Sequence, residues 1–135
     1  MIVIDASALA KYLLREEGWT SIEEYLVEGV YSVDLVVKEV ANAIWKHVVV
    51  RKSIPVDLGL QIYRQLRRLV DEDVVILEGQ EAYISRAVEV ALHHGITVYD
   101  SLYIVQALRR GELLTSDGRQ AEVARSLGVT TYYVR

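Results

Sequence analysis

The chain has 135 residues, of which 52% are hydrophobic and 25% are charged, and its formal net charge is −4. This size and composition are typical of one domain with a buried core, and they exclude a disordered chain. The chain contains no cysteine, which excludes disulfides, thiolate nucleophiles and zinc–thiolate sites.

The hydrophobic runs are short and interrupted, so we expect no membrane-spanning segment. The N-terminus lacks the basic region and cleavage pattern of a signal peptide. We therefore expect a single cytoplasmic domain over residues 1–135. The acidic charge argues against nucleic-acid binding through a bulk positive field. It does not exclude a nuclease, because carboxylates that bind divalent cations are themselves acidic.

The hydrophobic pattern predicts strands that alternate with helices along the whole chain. The predicted strands cover 2–4, 30–33, 74–77, 96–99, 113–116 and 129–134. The predicted helices cover 8–14, 22–27, 35–52, 56–70, 81–94 and 102–110, and a last helix ends at 127. Because strand and helix alternate at this spacing, we expect a parallel sheet with helices on both faces.

Polar residues at the predicted helix ends are suited to capping. Asp34 is placed to cap the helix over 35–52, and Asp117 with Gln120 matches a capping box. Gly95 is expected to end a helix in the left-handed conformation.

An aspartate follows a predicted strand at three places, which are Asp5, Asp100 and Asp117. Each could simply cap the helix that follows it. However, the carboxyl ends of parallel strands share one edge of a sheet, where ligands of α/β proteins bind. Three carboxylates at one edge repel one another unless they are neutralised, and oxygen ligands without His or Cys favour Mg²⁺ or Mn²⁺.

A polar stripe on the helix over 35–52 supplies a candidate fourth acid. Glu39, Asn42 and Lys46 lie three and seven residues apart and therefore share one side of the helix. Glu39 is the natural partner of the three aspartates, and Asn42 is a supporting candidate. A solvated face is the alternative interpretation of this stripe.

Basic residues concentrate on the next predicted helix, which carries Arg64, Arg67 and Arg68. Together with Lys46 they are candidates for contacts to the phosphates of a nucleic acid. The alternative is an ordinary solvated face whose arginines pair with the acids at 71–73, and it stays open.

Four segments together resemble a PIN domain, and most closely the toxin of a VapBC-type toxin–antitoxin pair. These segments are Ile4-Asp5-Ala6-Ser7-Ala8-Leu9, Glu39-Val40-Ala41-Asn42-Ala43, Tyr99-Asp100-Ser101-Leu102-Tyr103 and Leu114-Thr115-Ser116-Asp117. Each is short, but their order, their spacing and the matching length of the chain make the resemblance specific.

The resemblance implies a three-layer α/β/α sandwich with a mostly parallel sheet and a metal-dependent endoribonuclease active on RNA. It places Asp5, Glu39, Asp100 and Asp117 at the family's four acidic positions, which would bind Mg²⁺ or Mn²⁺. Ser7 and Thr115 would support the site. It also implies a homodimer and a VapB-type antitoxin whose tail covers the acidic groove.

Several aromatic residues are candidates for such contact surfaces, although core packing is an equally open alternative for each. They are Trp19, Tyr25, Trp45 and Tyr63.

Three other functions compete with this interpretation. A PIN nuclease of RNA processing or decay would have no antitoxin, and a non-catalytic binding module would use the groove only to engage a partner. A receiver-like phosphoacceptor or an Mg²⁺-dependent phosphatase needs a lysine after a later strand. The chain has no lysine after Lys52, which argues strongly against that third class.

Overall fold

The computed structural model describes residues 1–135 and is built around a five-stranded, entirely parallel sheet. The strand order is β3-β2-β1-β4-β5. The strands are β1 (Ile2–Ile4), β2 (Val30–Val33), β3 (Val75–Glu78), β4 (Glu112–Thr115) and β5 (Thr130–Tyr133). The central strand β1 pairs with β2 on one side and with β4 on the other.

Seven α-helices cover the sheet and complete the predicted three-layer α/β/α sandwich. They are α1 (Ala6–Leu13), α2 (Trp19–Leu26), α3 (Leu35–Trp45), α4 (Val56–Asp71), α5 (Ile84–His94), α6 (Val98–Arg110) and α7 (Gly118–Ser126). Apart from the first residue of each strand, the residues of β1 and β4 are fully buried, as expected for a parallel sheet covered on both faces.

The predicted strand over 96–99 is wrong. Gly95 adopts the left-handed conformation and ends α5, as predicted, and α6 then begins at Val98. The Thr97 side chain caps α6 by accepting a hydrogen bond from the backbone N–H of Asp100. Ile96 and Thr97 therefore join two packed helices, and only five of the six predicted strands form.

Two other boundaries differ from the prediction. The helix predicted over 35–52 is α3 followed by a π-helical turn over Lys46–Val50. A 3₁₀ turn over Gln80–Ala82 precedes α5 in place of one helix from residue 81.

The predicted cap at Asp34 is also wrong. The Asp34 carboxylate makes no capping bond to α3 and accepts a hydrogen bond from the backbone N–H of Gln80 instead. Because Asp34 itself has helical backbone angles, its side chain is not placed to bond the next turn.

Candidate active site

Asp5 is the buried anchor of the predicted acidic site. It follows the central strand β1 directly and is 1% exposed. Its Oδ1 accepts hydrogen bonds from the Ser7 hydroxyl (2.7 Å) and the Ala8 N–H (2.9 Å), and its Oδ2 accepts one from the Thr115 hydroxyl. The residue therefore caps α1 and also faces β4, so capping does not exclude a role in a site.

Two hydroxyl groups join the strand ends on either side of Asp5. The Ser7 Oγ accepts a hydrogen bond from the backbone N–H of Ser116 (2.9 Å), and the Thr115 Oγ1 accepts one from that of Asp117 (3.0 Å). These bonds tie the β1–α1 turn to the β4–α7 turn. The positions of Ser7 and Thr115 are consistent with the supporting roles predicted for them, and the roles themselves stay predictions.

Burial disfavours the ionised form of Asp5. It raises the pKa of the carboxyl group to about 7, although the three hydrogen bonds act in the opposite direction, and the charge of Asp100 raises the pKa further. A carboxylate has about four acceptor positions, and three are already used here. The free position lies on Oδ2, so Asp5 is suited to one strong contact with a cation.

Asp100 lies in the first turn of α6 and not at the end of a strand. Burial raises its pKa, and the charges of Asp117 and Glu39 raise it further. Asp100 also acts on Asp5, so the other three acids all interact electrostatically with Asp100. No three carboxylates converge closely enough to enclose an ion by themselves.

Glu39 is held by a residue that the sequence did not single out. The hydroxyl of Tyr103, one turn after Asp100 on α6, donates a hydrogen bond to the Glu39 Oε1 (2.5 Å). Tyr103 is 1% exposed, and burial together with the Glu39 charge raises its pKa, so it stays a neutral donor. The three-residue spacing from Asp100 was the available signal, because it places Tyr103 near the same face of the helix.

Asp117 caps α7 through its Oδ1, which accepts hydrogen bonds from the N–H groups of Arg119 (2.9 Å) and Gln120 (3.2 Å). The Gln120 side chain does not complete the predicted capping box. Its Nε2 donates instead to the backbone oxygen of Asp100 (3.1 Å), which ties α7 to α6.

A family model described as the PIN domain matches residues 2–126. The chain belongs to the PIN domain family. It is 30% identical over 127 residues to Ribonuclease VapC3 from Pyrobaculum aerophilum, and the match covers 90% of this chain and 92% of that relative. Its fold is similar to the crystal structure of PAE2754 from Pyrobaculum aerophilum, with a TM-score of 0.68 and 21% identity. That match covers 96% of this chain and 87% of the other.

These matches confirm the predicted PIN resemblance and the predicted fold class of the chain. In addition, no helix of this PIN domain is both long enough and apolar enough to span a membrane.

A groove of about 420 Å³ in this PIN domain includes one of the four acids, Glu39. It is lined by Leu35, Lys38, Glu39, Asn42, Ala43, Lys46 and Tyr99. The predicted candidates Asn42 and Lys46 therefore lie beside Glu39, as their spacing on the helix indicated. A larger cavity of about 710 Å³ lies at the opposite edge of the sheet, where the strands begin, and includes none of the four acids.

The three arginines on α4 of the PIN domain are exposed and do not line the Glu39 groove. Arg64 and Arg68 border a separate depression of about 310 Å³ with two glutamines. Neither they nor Arg67 form the ion pairs with the acids at 71–73 that the alternative interpretation predicted. A role for these arginines in RNA binding stays a prediction.

The four aromatic candidates for contact surfaces divide into two pairs in the structure. Trp19 and Tyr25 are partly buried and pack against the core. Trp45 (50% exposed) and Tyr63 (37% exposed) line an apolar groove of about 300 Å³ between α3 and α4.

Proposed function

We propose that this PIN domain is a metal-dependent endoribonuclease that hydrolyses RNA phosphodiester bonds. The observation that carries the proposal is the buried Asp5 carboxylate, which is held by three hydrogen bonds and interacts with the charge of Asp100. The likeness to a relative named Ribonuclease VapC3 supports the same reaction class.

The donor set of the site fits Mg²⁺ or Mn²⁺. All four acids offer oxygen ligands, and no cysteine or histidine is among them. Burial and the charges of neighbouring acids oppose the ionisation of both Asp5 and Asp100. A bound divalent cation would favour the ionised carboxylates. When bound, such a cation supplies a water of lowered pKa and neutralises charge on the phosphate.

Each acid has a distinct role in the proposal. Asp5 and Asp100 would be the direct ligands, and Glu39 and Asp117 would act through water or orient the attacking water. Tyr103 fixes the Glu39 carboxylate, and Ser7 and Thr115 fix that of Asp5. These are positioning contacts between side chains, and they leave the free acceptor position of Asp5 available.

The test is cleavage of RNA by the purified protein with and without Mg²⁺ or Mn²⁺. Asp5→Asn and Asp100→Asn should each abolish cleavage, because they remove ligand charge at nearly constant size. Asp34→Asn is the matched control, since this exposed aspartate lies at the carboxyl end of β2 and its amide oxygen can still accept from Gln80. Asp34→Asn should cleave normally.

Metal binding is checked separately by thermal unfolding. Mn²⁺ should raise the melting temperature of the parent and the control but not that of Asp5→Asn, because a ligand of the folded state stabilises it. Cleavage that persists in both site variants would overturn the proposal. A folded, metal-supplied protein that cleaves no RNA would favour a non-catalytic binding module.

We also propose that the chain is a homodimeric toxin paired with a VapB-type antitoxin. The name of the relative supports the pairing, and the exposed apolar groove around Trp45 and Tyr63 offers a surface for contact with another chain. Growth arrest on expression, relieved by a small reading frame next to the gene, would support a toxin. Without either effect, an RNA-processing nuclease without an antitoxin would be favoured.

A further inference from the structure

The groove beside Glu39 combines two cations and one exposed aromatic ring. Lys38, Asn42 and Lys46 are spaced by four residues, so they form one row along α3 and its π-helical continuation. Tyr99 lies across from this row, on the first turn of α6. All four side chains are exposed.

Both lysines are free to bind an anion. Neither forms an ion pair or a side-chain hydrogen bond within the protein, although Glu39 lies between them in sequence. The helical rise places them roughly 12 Å apart along the axis. They therefore form an elongated positive rim beside Glu39, in a protein whose net charge is negative.

Tyr99 is 60% exposed and makes no hydrogen bond or aromatic contact. Helix α6 fixes the position of Tyr99 relative to two of the acids. Tyr99 directly precedes Asp100 and lies one turn before Tyr103, which donates a hydrogen bond to Glu39. A tyrosine four residues before Tyr103 lies on the same face of α6. The free ring therefore borders the site and has no partner in the protein.

We propose that this groove binds a single-stranded segment of RNA, with one unpaired base stacked on Tyr99 and the backbone phosphates contacted by Lys38 and Lys46. The proposal rests on the ribonuclease function proposed above. Exposed aromatic rings and basic side chains in one groove are the usual means of binding single strands. A duplex is disfavoured because its bases are already stacked and present no free face.

The polarity of the groove favours RNA over a protein partner. The row of Lys38, Asn42 and Lys46 faces solvent and carries charge, whereas the apolar surface suited to a protein lies in the separate groove around Trp45 and Tyr63. Loss of partner binding in Tyr99→Ala, with RNA binding unchanged, would assign the ring to a protein contact and overturn the proposal.

Binding is measured in Mg²⁺ on the Asp5→Asn background, so that bound RNA is not cut. The probe is a mixed-sequence RNA single strand carrying 2-aminopurine, with the matching duplex as comparison. Tyr99→Ala should weaken single-strand binding on the order of ten-fold and abolish quenching of the 2-aminopurine. Tyr99→Phe keeps the ring and should bind normally. Tyr63→Ala removes an exposed tyrosine outside this groove and is the matched control.

The lysines are tested by the salt dependence of the same binding. Lys38→Gln combined with Lys46→Gln should reduce the slope of log affinity against log salt by about 0.7 for each lysine. Arg86→Gln combined with Arg109→Gln is the matched control, because these two exposed arginines border a separate depression, and it should leave the slope unchanged.

The two proposals fail in different ways. If binding depends on Tyr99 but the parent protein cleaves no RNA, single-strand binding in the groove is supported and the nuclease activity is overturned. If cleavage depends on metal but Tyr99→Ala binds the single strand as its parent does, the nuclease activity is supported and RNA binding in the groove is overturned.

Discussion

Tyr103 and Glu39, which are 64 residues apart in the chain, share a hydrogen bond of 2.5 Å that joins α6 to α3. Tyr103 is nearly inaccessible to solvent, and the acid it holds belongs to the candidate site. The contact therefore links the packing of two helices to the position of one carboxylate.

Tyr103→Phe should lower both the stability and the metal-dependent cleavage. The loss of a hydrogen bond to a carboxylate is expected to cost about 1–3 kcal/mol of unfolding free energy, and Glu39 would no longer be held. Urea unfolding and cleavage rates measure the two effects. The matched control is Tyr132→Phe, which removes a similar bond to Glu112 (2.6 Å) at the opposite edge of the sheet. If both variants cleaved as the parent does, Tyr103 would have no positioning role.

The metal-free protein should lose stability as the pH rises from about 4 to about 7. Burial raises the folded-state pKa of Asp5 to about 7, so the folded state binds the proton more tightly than the unfolded chain in that range. The change is on the order of 4 kcal/mol for Asp5, and the raised pKa of Asp100 acts in the same direction. Urea unfolding in EDTA across this range measures it.

Asp5→Asn supplies the control for that pH dependence. The variant should show a shallower slope and be more stable than the parent at neutral pH, because no buried charge forms. Asp34→Asn should keep the slope of the parent, since this aspartate is exposed. A parent whose stability instead rises steadily with pH would contradict the burial argument.

Arg110→Met should make the protein unfold at a higher pH during acidification. Arg110 donates two hydrogen bonds to the Glu78 carboxylate and is the main reason that the pKa of Glu78 is lowered to about 2. This stabilisation is present above the unfolded pKa of Glu and is lost as the pH falls through the folded pKa. Circular dichroism during acid titration locates the transition.

Arg119→Met is the matched control for Arg110→Met. Arg119 pairs with Glu122 at 3.4 Å, and both side chains are mostly exposed. Exposed pairs contribute about 0–1 kcal/mol, so this variant should unfold at nearly the same pH as the parent. Equal shifts of the unfolding pH in both variants would show that the contact between Arg110 and Glu78 contributes no more than an exposed ion pair.

Gly59→Ala should destabilise the protein by about 1 kcal/mol, although alanine usually favours a helix. A Cβ at this position of α4 would lie 2.8 Å from the Val48 Cγ2. The overlap between the two helical segments destabilises the fold by about 1–3 kcal/mol. This exceeds the roughly 1 kcal/mol by which alanine stabilises a helix relative to glycine. Gly79→Ala is the control because a Cβ there meets nothing within 4 Å. A stabilised Gly59→Ala would contradict the close packing.

The segment over 96–99 shows where local patterns misled the prediction. Its β-branched residues favour a strand, but they follow a left-handed glycine, Gly95, that ends a helix. In addition, Asp100 lies three residues after Thr97. A threonine followed three residues later by an acid is also a helix-start signal. The helical outcome follows from the packing of α5 on α6, which the short apolar run does not encode.

The error left the position of Asp100 in the site unchanged. The first turn of α6 brings this residue close enough to the other acids to interact with their charges, as a strand end would have done. The order and spacing of the acids are therefore compatible with a helix start at Asp100 as well as with a strand end.

The sequence by itself determined most of the alternation of strands and helices, and it singled out the four acidic candidates and their order. These features depend on local periodicity and on residue types, which are visible in one chain. Only the tertiary structure decided that Thr115 bonds Asp5, that Tyr103 holds Glu39 and that Asp5 is buried enough to hold a proton near neutral pH. Such contacts join residues up to 110 positions apart, and they depend on the order of strands in the sheet and on packing, which no local pattern specifies.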